Sequence, residues 1–451
     1  MDGVDFINRL DDDALHLVFD HFHYPKEFLP FGQSESFISL HILNFNHFCS
    51  SACKRWNGLL SLFCLQLTSL TVYDHELSYP EKREQIDEIR LLRMATNTPN
   101  VRSLRINGPV KRMTPEGADR LAQLWSRVEE LDLEGSRFEK EILTNFLQNF
   151  PLLKKLRFEP SRFTTVQHFD AICSNQHPNL VDLEFNFWNS ADRNWFESCH
   201  LPLKRFAVNI LLHENATLST LENCCKDSLQ TIKVGLGIDN NSQAIGRILS
   251  TFHRLTDVAF DILDYTVLEN QPILPHLEKF CVSQIYDGPS ESLIGFLKSY
   301  PQLKELNLKR GIFDDYLAEN IATTLPNLRS LSFVKFTGTS LMNLTSLRLE
   351  YFNPGYDIRW SADDVRAFVR EMPSLQRLTV WNVDDDSDAD CSFLFKALRD
   401  DIRASGSNRQ LWISRDDINY LLLDSSDQCT DTTIEKFIKV NKKPLIRILY
   451  C

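Results

Sequence analysis

The chain has 451 residues, 43% of them hydrophobic, and its 49 Lys and Arg against 61 Asp and Glu leave a formal net charge of −12. That balance argues against a general nucleic-acid binder, whose phosphate contacts need clustered Lys and Arg. No stretch approaches the roughly 20 continuous apolar residues of a membrane-spanning helix, and Met1-Asp2-Gly3-Val4-Asp5 carries acid where a secretory signal carries base. Eleven cysteines, odd in number and without a CxxC pair, read as reduced thiols of a cytoplasmic or nuclear protein.

In chain order, the first pattern is Leu10, Leu15, Val18, Phe19 and Phe22. The last four fall on one helical stripe, and Asp11 to Asp13 occupy a first turn where the macrodipole favours acid. A second amphipathic stretch runs through Leu43, Phe48, Cys49, Ala52, Trp56, Leu59 and Leu60, after an insertion at about residues 23–42 that reads as a connector. Two or three short helices cannot bury a stable core alone, so this region needs a partner. His16, His21 and His23 lack ligand-spaced carboxylates or thiols and read as helix-face histidines.

From residue 67 to residue 383 the chain repeats a triplet, apolar-x-x-apolar-x-apolar: Val101/Leu104/Ile106, Val128/Leu131/Leu133, Leu153/Leu156/Phe158 and so on through Leu328/Leu331/Phe333, Leu344/Leu347/Leu349 and Leu375/Leu378/Val380. The steps are 22 to 27 residues, except for one of 16 and one of 31 around Leu344. Pro99, Pro151, Pro178, Pro275, Pro301, Pro326 and Pro373 each stand two residues before a first apolar position, far above chance for a residue used 18 times. A proline there ends the preceding helix and donates nothing to the strand ladder that follows. Between triplets the period becomes helical, as in Ile245, Ile248, Leu249, Phe252 or Val365, Phe368, Val369, Met372. Thr114 before Pro115, and Ser361 with Asp364 three residues on, are helix start signals. A unit of strand, turn and helix cannot bury its own edge, so neighbours must stack.

If the triplets point inward, the third, fifth and seventh positions line the open face of the sheet. The fifth positions begin Arg105, Asp132, Arg157, Glu184, a sign alternation that predicts a ladder satisfied within the chain. Farther on, Ala259, Cys281, Ser330, Ser332, Val334, Thr379 and Trp381 are smaller or more apolar. This half is the expected binding face, with Val334, Arg348, Glu350, Tyr351 and Trp381 as candidate substrate contacts and residues 351–356 as an adjoining aromatic loop. Residues 384–451 close the far end, with a helix near residues 392–404, a strand at Leu411-Trp412-Ile413, a helix after Thr432 and an apolar run at residues 445–449. The aspartates at 384–390 lack the glycine and the bidentate Glu of a calcium loop and read as a solvated acidic loop. No zinc-protease, hydrolase-elbow or phosphate-loop motif is present, so no catalytic residue, metal or cofactor is expected.

Residues 67–383 resemble the leucine-rich repeat family. In place of the Asn or Cys usual three residues after the last strand leucine stand Pro109, Ser136, Ser161, Trp188, Leu211 and Gly237. The resemblance implies an α/β leucine-rich-repeat solenoid, a curved parallel sheet inside and helices outside. Residues 1–66 resemble a small all-α F-box. Leu10 matches the leading leucine, Leu15, Val18 and Phe19 the helix that meets the adaptor, Phe22 its last apolar residue, and Cys53-Lys54-Arg55-Trp56 the Cys-Lys-x-Trp element. Asp11 departs from the family's usual proline. The whole chain is similar to the F-box and leucine-rich-repeat protein family, with residues 384–451 as a C-terminal cap. That similarity implies a non-catalytic substrate-recognition subunit of an SCF-type cullin-RING ubiquitin ligase. Leu10, Leu15, Val18, Phe19, Phe22, Cys53 and Trp56 would meet a Skp-type adaptor, and through it a cullin, while the repeats hold a protein substrate. The alternative is a non-catalytic leucine-rich-repeat scaffold or inhibitor whose N-terminal helices only cap the solenoid.

Overall fold

The computed structural model describes residues 65–73, 86–107, 110–111, 113–133, 136, 142, 146–147, 149–158, 177–185, 201–211, 214–236, 241–264, 268–269, 271–286, 290–337, 341–355, 359–379, 382–383, 397–398, 400–402, 411–415 and 418–422. The chain divides into two compact units, Met1–Val234 and Gly235–Cys451.

The first unit contains β1 (Ser69–Tyr73), β2 (Ile86–Asp87), α1 (Glu88–Asn97), β3 (Ser103–Asn107), β4 (Val110–Lys111), α2 (Pro115–Leu124), β5 (Glu130–Leu133), β6 (Lys155–Phe158), β7 (Asp182–Phe185), β8 (Arg205–Leu211) and α3 (Glu214–Cys225), and β9 (Thr231–Leu236) begins in it. The order β1-β3-β5-β6-β7-β8 is parallel throughout, one strand per repeat, with β9 next to β8 and with β2 and β4 forming a separate pair. Register follows from a recurring device in which two successive N–H groups ahead of each strand converge on one carbonyl of the repeat before. Arg102 and Ser103 donate to Thr68, Glu129 and Glu130 to Arg102, and Lys154 and Lys155 to Glu129. The second triplet residues therefore stand in one column, Leu104, Leu131, Leu156, Leu183 and Phe206, all within 1% of full burial. Alternation puts them and the third triplet residues on one face of the sheet. Phe158 packs tilted against Phe185 there at 5.9 Å, and Phe185 packs edge to face with Phe206 at 5.6 Å.

Helix α2 starts where its sequence predicts. The Thr114 hydroxyl accepts from Gly117 N–H at 3.0 Å and Pro115 fills the first helical position, where no donor is lost. The Glu88 carboxylate accepts from Thr114 N–H at 2.6 Å and occupies the space a Cβ on Gly117 would need.

The second unit contains α4 (Asn241–Thr251), β10 (Asp257–Asp264), β11 (Lys279–Tyr286), α5 (Ser290–Leu297), β12 (Glu305–Phe313), α6 (Asp315–Thr324), β13 (Ser330–Phe336), a 3-10 turn (Leu341–Ser346), β14 (Tyr351–Asn353), β15 (Arg359–Trp360), α7 (Ala362–Glu371), β16 (Arg377–Thr379), β17 (Asn382–Val383), β18 (Leu411–Arg415) and β19 (Ile418–Leu422). Its sheet runs β10-β11-β12-β13-β14-β16-β18 in parallel and ends in the antiparallel pair β18-β19. The helices pack on the buried face, as ring contacts record: Phe280 on β11 meets Phe296 on α5 at 5.0 Å, and Phe352 on β14 meets Phe368 on α7 at 5.0 Å. Ile245, Ile248 and Leu249 of α4 and Val365, Phe368 and Val369 of α7 are buried as their 3.6-residue spacing requires. Ser361 and Asp364 form the expected capping box on α7.

One repeat is registered differently from the expectation. Leu331 pairs with Phe352, which pairs with Leu378, and Glu350 and Tyr351 donate together to the Arg329 carbonyl. The repeat is therefore Leu349/Phe352/Pro354, not Leu344/Leu347/Leu349, and the steps of 16 and 31 residues become 21 and 26. Leu344 and Leu347 are buried too, but Leu344 lies in the 3-10 turn that replaces a full helix in this short repeat and Leu347 directly follows that turn. An apolar triplet alone cannot tell a buried turn from a strand.

The ladder asparagine missing from the sequence pattern is offset at the helix-to-strand turns. Asn100 Nδ2 donates to Leu65 O at 2.7 Å, Asn179 to Pro151 O at 3.4 Å and Asn327 to Pro301 O at 3.0 Å. Ser228 and Ser374 hydroxyls reach Leu203 O and Leu349 O in the same way at 2.8 and 2.9 Å. Trp125 Nε1 donates to Thr98 Oγ1 at 3.2 Å and Cys225 Sγ to Leu201 O at 3.3 Å. Each bond ties one repeat to its predecessor, and all but the Trp125 bond to the Thr98 hydroxyl satisfy a backbone carbonyl. Each unit is a stack of leucine-rich repeats with its sheet on one side and its helices on the other.

Candidate functional site

The helices cover one face of each sheet, and the other face carries the third and fifth positions of every repeat. In the first unit these positions bind each other. Arg105 Nε lies 3.3 Å from Asp132, Arg157 Nη1 3.8 Å from the same carboxylate, and Arg157 Nε 3.3 Å from Glu184. Arg205 then donates from Nη1 to Asp182 and from Nη2 to Glu184, each at 2.7 Å. In-register pairing explains the order, since Asp132 stands opposite Arg157 and Arg157 opposite Glu184. Burial pushes the Glu184 carboxyl up, but Arg205, Arg157 and Lys233 together outweigh it and hold the group below the usual carboxylate range. The same balance keeps Arg205 charged: burial opposes the cation, and Asp182 and Glu184 prevail. At the rim, Glu129 sits between Lys154 at 2.6 Å and Arg102 at 3.7 Å, and its carboxyl is lowered chiefly by the Lys154 hydrogen bond. The ladder expected from Arg105 to Glu184 is present, and it extends to Arg205. The extension was missed because only fifth positions were compared; the third positions Glu130, Lys155, Asp182 and Arg205 alternate in sign as well.

The second unit presents a different face. Ala259, Cys281, Asn307, Ser332 and Asn353 follow one another across β10, β11, β12, β13 and β14, with no charge among them. Charge remains in the third-position row, where Lys279 lies 3.9 Å from Asp257 and 3.3 Å from Glu305. Tyr351 and Arg377 continue that row, the guanidinium 5.6 Å from the ring centroid in a cation–π contact. Asn353 Nδ2 donates to the Tyr351 hydroxyl at 3.4 Å, and Gly355 N–H donates to Asn353 Oδ1 at 3.1 Å.

Of the candidate substrate contacts, Val334 and Tyr351 stand on the paired strands β13 and β14, and Arg348 and Glu350 precede β14. Val334 is half-buried on β13. Arg348 is exposed but precedes Leu349 in the turn ahead of β14, so it is not on the fifth position of a strand. Glu350 lies at the strand's leading edge and accepts from Arg329 at 2.7 Å. Tyr351 is the first residue of β14 and half-buried, and residues 351–353 are strand where a loop was expected. Phe352 in it is fully buried core. Trp381 lies outside the described residues, as do Leu10, Leu15, Val18, Phe19, Phe22, Cys53 and Trp56, the acidic run at 384–390, the helix expected after Thr432 and the apolar run at 445–449. Within residues 392–404 Leu398 and Ile402 are buried, and the strand expected at Leu411 is β18.

Among the described residues no group of three or more His, Cys, Asp or Glu could hold a metal ion, and no helix is long and apolar enough to cross a membrane. No protein-family model matches the chain, and no curated protein matches it in sequence. Solved structures similar to it include an internalin from Listeria monocytogenes str. 4b F2365, at 17% identity over 66% of this chain and 80% of that one, with a TM-score of 0.37. The yeast Rad7 and Elc1 complex is similar at 14% identity, 84% and 94% coverage and a TM-score of 0.40. A leucine-rich-repeat protein of Leptospira interrogans is similar at 13% identity, 72% and 85% coverage and a TM-score of 0.32. By its own strand register, burial and turn hydrogen bonds, each unit of this chain has the leucine-rich-repeat fold.

Proposed function

We propose that the chain is the substrate-recognition subunit of an SCF-type cullin-RING ubiquitin ligase, binding a Skp-type adaptor through Leu10, Leu15, Val18, Phe19, Phe22, Cys53 and Trp56 and a protein substrate on the open sheet face of the Gly235–Cys451 unit. The sequence that precedes the repeats supports the adaptor half: a Leu-x4-Leu-x2-Val-Phe stripe and a Cys-Lys-Arg-Trp element stand directly ahead of a leucine-rich-repeat stack. The observation that carries the substrate half is the contrast between the two sheet faces. In the first unit Arg105, Asp132, Arg157, Asp182, Glu184 and Arg205 are committed to ion pairs within the sheet. The second offers a row of small neutral side chains flanked by Tyr351 and Arg377 of the third-position row, where a macromolecular surface can approach closely and an aromatic-arginine pair can anchor it. No bond chemistry is assigned to the chain itself; holding a substrate beside a charged conjugating enzyme acts by proximity.

Co-expression with a Skp-type adaptor tests the adaptor half: the wild type should retain the adaptor through purification and Phe19→Asp should lose it. For the substrate half, a photo-crosslinking residue at position 351 should give protein adducts that disappear when Ser332→Arg is added. Adducts that persist with Ser332→Arg would move the substrate off this face.

A further inference from the structure

We draw no further inference here: the strongest candidate, the row of small uncharged side chains Ala259, Cys281, Asn307, Ser332 and Asn353 across the open sheet face of the second unit, belongs to the face already proposed for the substrate, and nothing in the structure shows what covers it.

Discussion

Arg205 on β8 and Glu184 on β7 meet at 2.7 Å, and the same guanidinium holds Asp182 at 2.7 Å through its other terminal nitrogen. With side-chain exposures of 12% for Glu184 and 30% for Arg205, the pair is partly desolvated, and losing one partner strands the other. Glu184→Gln should cost about 1–3 kcal/mol, discounted from the fully buried case because Arg205 keeps some water and Asp182 remains. The pH sign follows from a carboxyl lowered on folding. Its contribution is present above the ordinary carboxylate range and is lost as pH falls through the lowered value. Denaturation midpoints at pH 7 and pH 4 should therefore differ less for Glu184→Gln than for wild type; an unchanged difference would remove the ladder from the stability account.

His177 is fully buried in the turn before Pro178, with Nδ1 3.3 Å from the Phe150 carbonyl and Nε2 enclosed without a partner among the described residues. That contact assigns the proton to Nδ1. Burial lowers its pKa, against the Phe150 hydrogen bond, so the folded chain disfavours the second proton while the unfolded chain accepts it near pH ~6.5. Stability supplied by the neutral ring is present above that pH and declines as pH falls below it. His177→Phe should flatten the stability profile between about pH 7 and pH 5. A slope identical to wild type would show that the ring titrates freely.

Gly355 has φ +76°, and a Cβ there would run into the Val334 backbone. Gly355→Ala should destabilise by about 2–4 kcal/mol, combining left-handed strain with displacement of β13 from β14. Gly295 on α5 has nothing within 4 Å of its added Cβ, so Gly295→Ala should leave stability unchanged or raise it by about 0.5–1 kcal/mol. Equal melting shifts in the two variants would contradict the β14 geometry.

The register of the short repeat has its own check. Phe352 is fully buried between Phe333 at 5.7 Å and Phe368 at 5.0 Å, whereas Tyr351 beside it is half-buried on the open face. Phe352→Ala should cost about 3–5 kcal/mol, and Tyr351→Ala, which loses mainly the cation–π contact with Arg377, about 1 kcal/mol. The reverse order in urea midpoints would restore the register in which Leu347 is the central strand residue.

Most of the repeat architecture was legible because two independent signals coincide in seven of the twelve units, an apolar triplet and a proline two residues ahead of it. Where proline is absent, as before Leu349, the triplet alone slipped onto Leu344 and Leu347, since a buried 3-10 turn and a strand both want leucine. The slip moved Arg348 from turn to strand and Tyr351 from strand to loop. The charge ladder was visible in Arg105, Asp132, Arg157 and Glu184, because parallel in-register pairing sets equal positions side by side. The Arg205 bridge to Glu184 was not, because it joins a third position to a fifth position on the preceding strand, a diagonal reach that depends on side-chain length. Asn100, Asn179 and Asn327, each directly after a turn proline, were a readable substitute for the missing ladder residue.

The most direct test of the proposed function is the affinity of the full chain for a purified Skp-type adaptor. Burying Phe19 in that contact is worth about 1.5–3 kcal/mol, and placing a carboxylate there adds a desolvation cost. Wild type and Tyr351→Ala should bind the adaptor equally, and Phe19→Asp should weaken binding by at least about 100-fold with an unchanged melting temperature. Equal adaptor affinity for wild type and Phe19→Asp, or no adaptor binding by folded wild type, would contradict the account and leave the chain a leucine-rich-repeat scaffold whose first helices serve only as a cap.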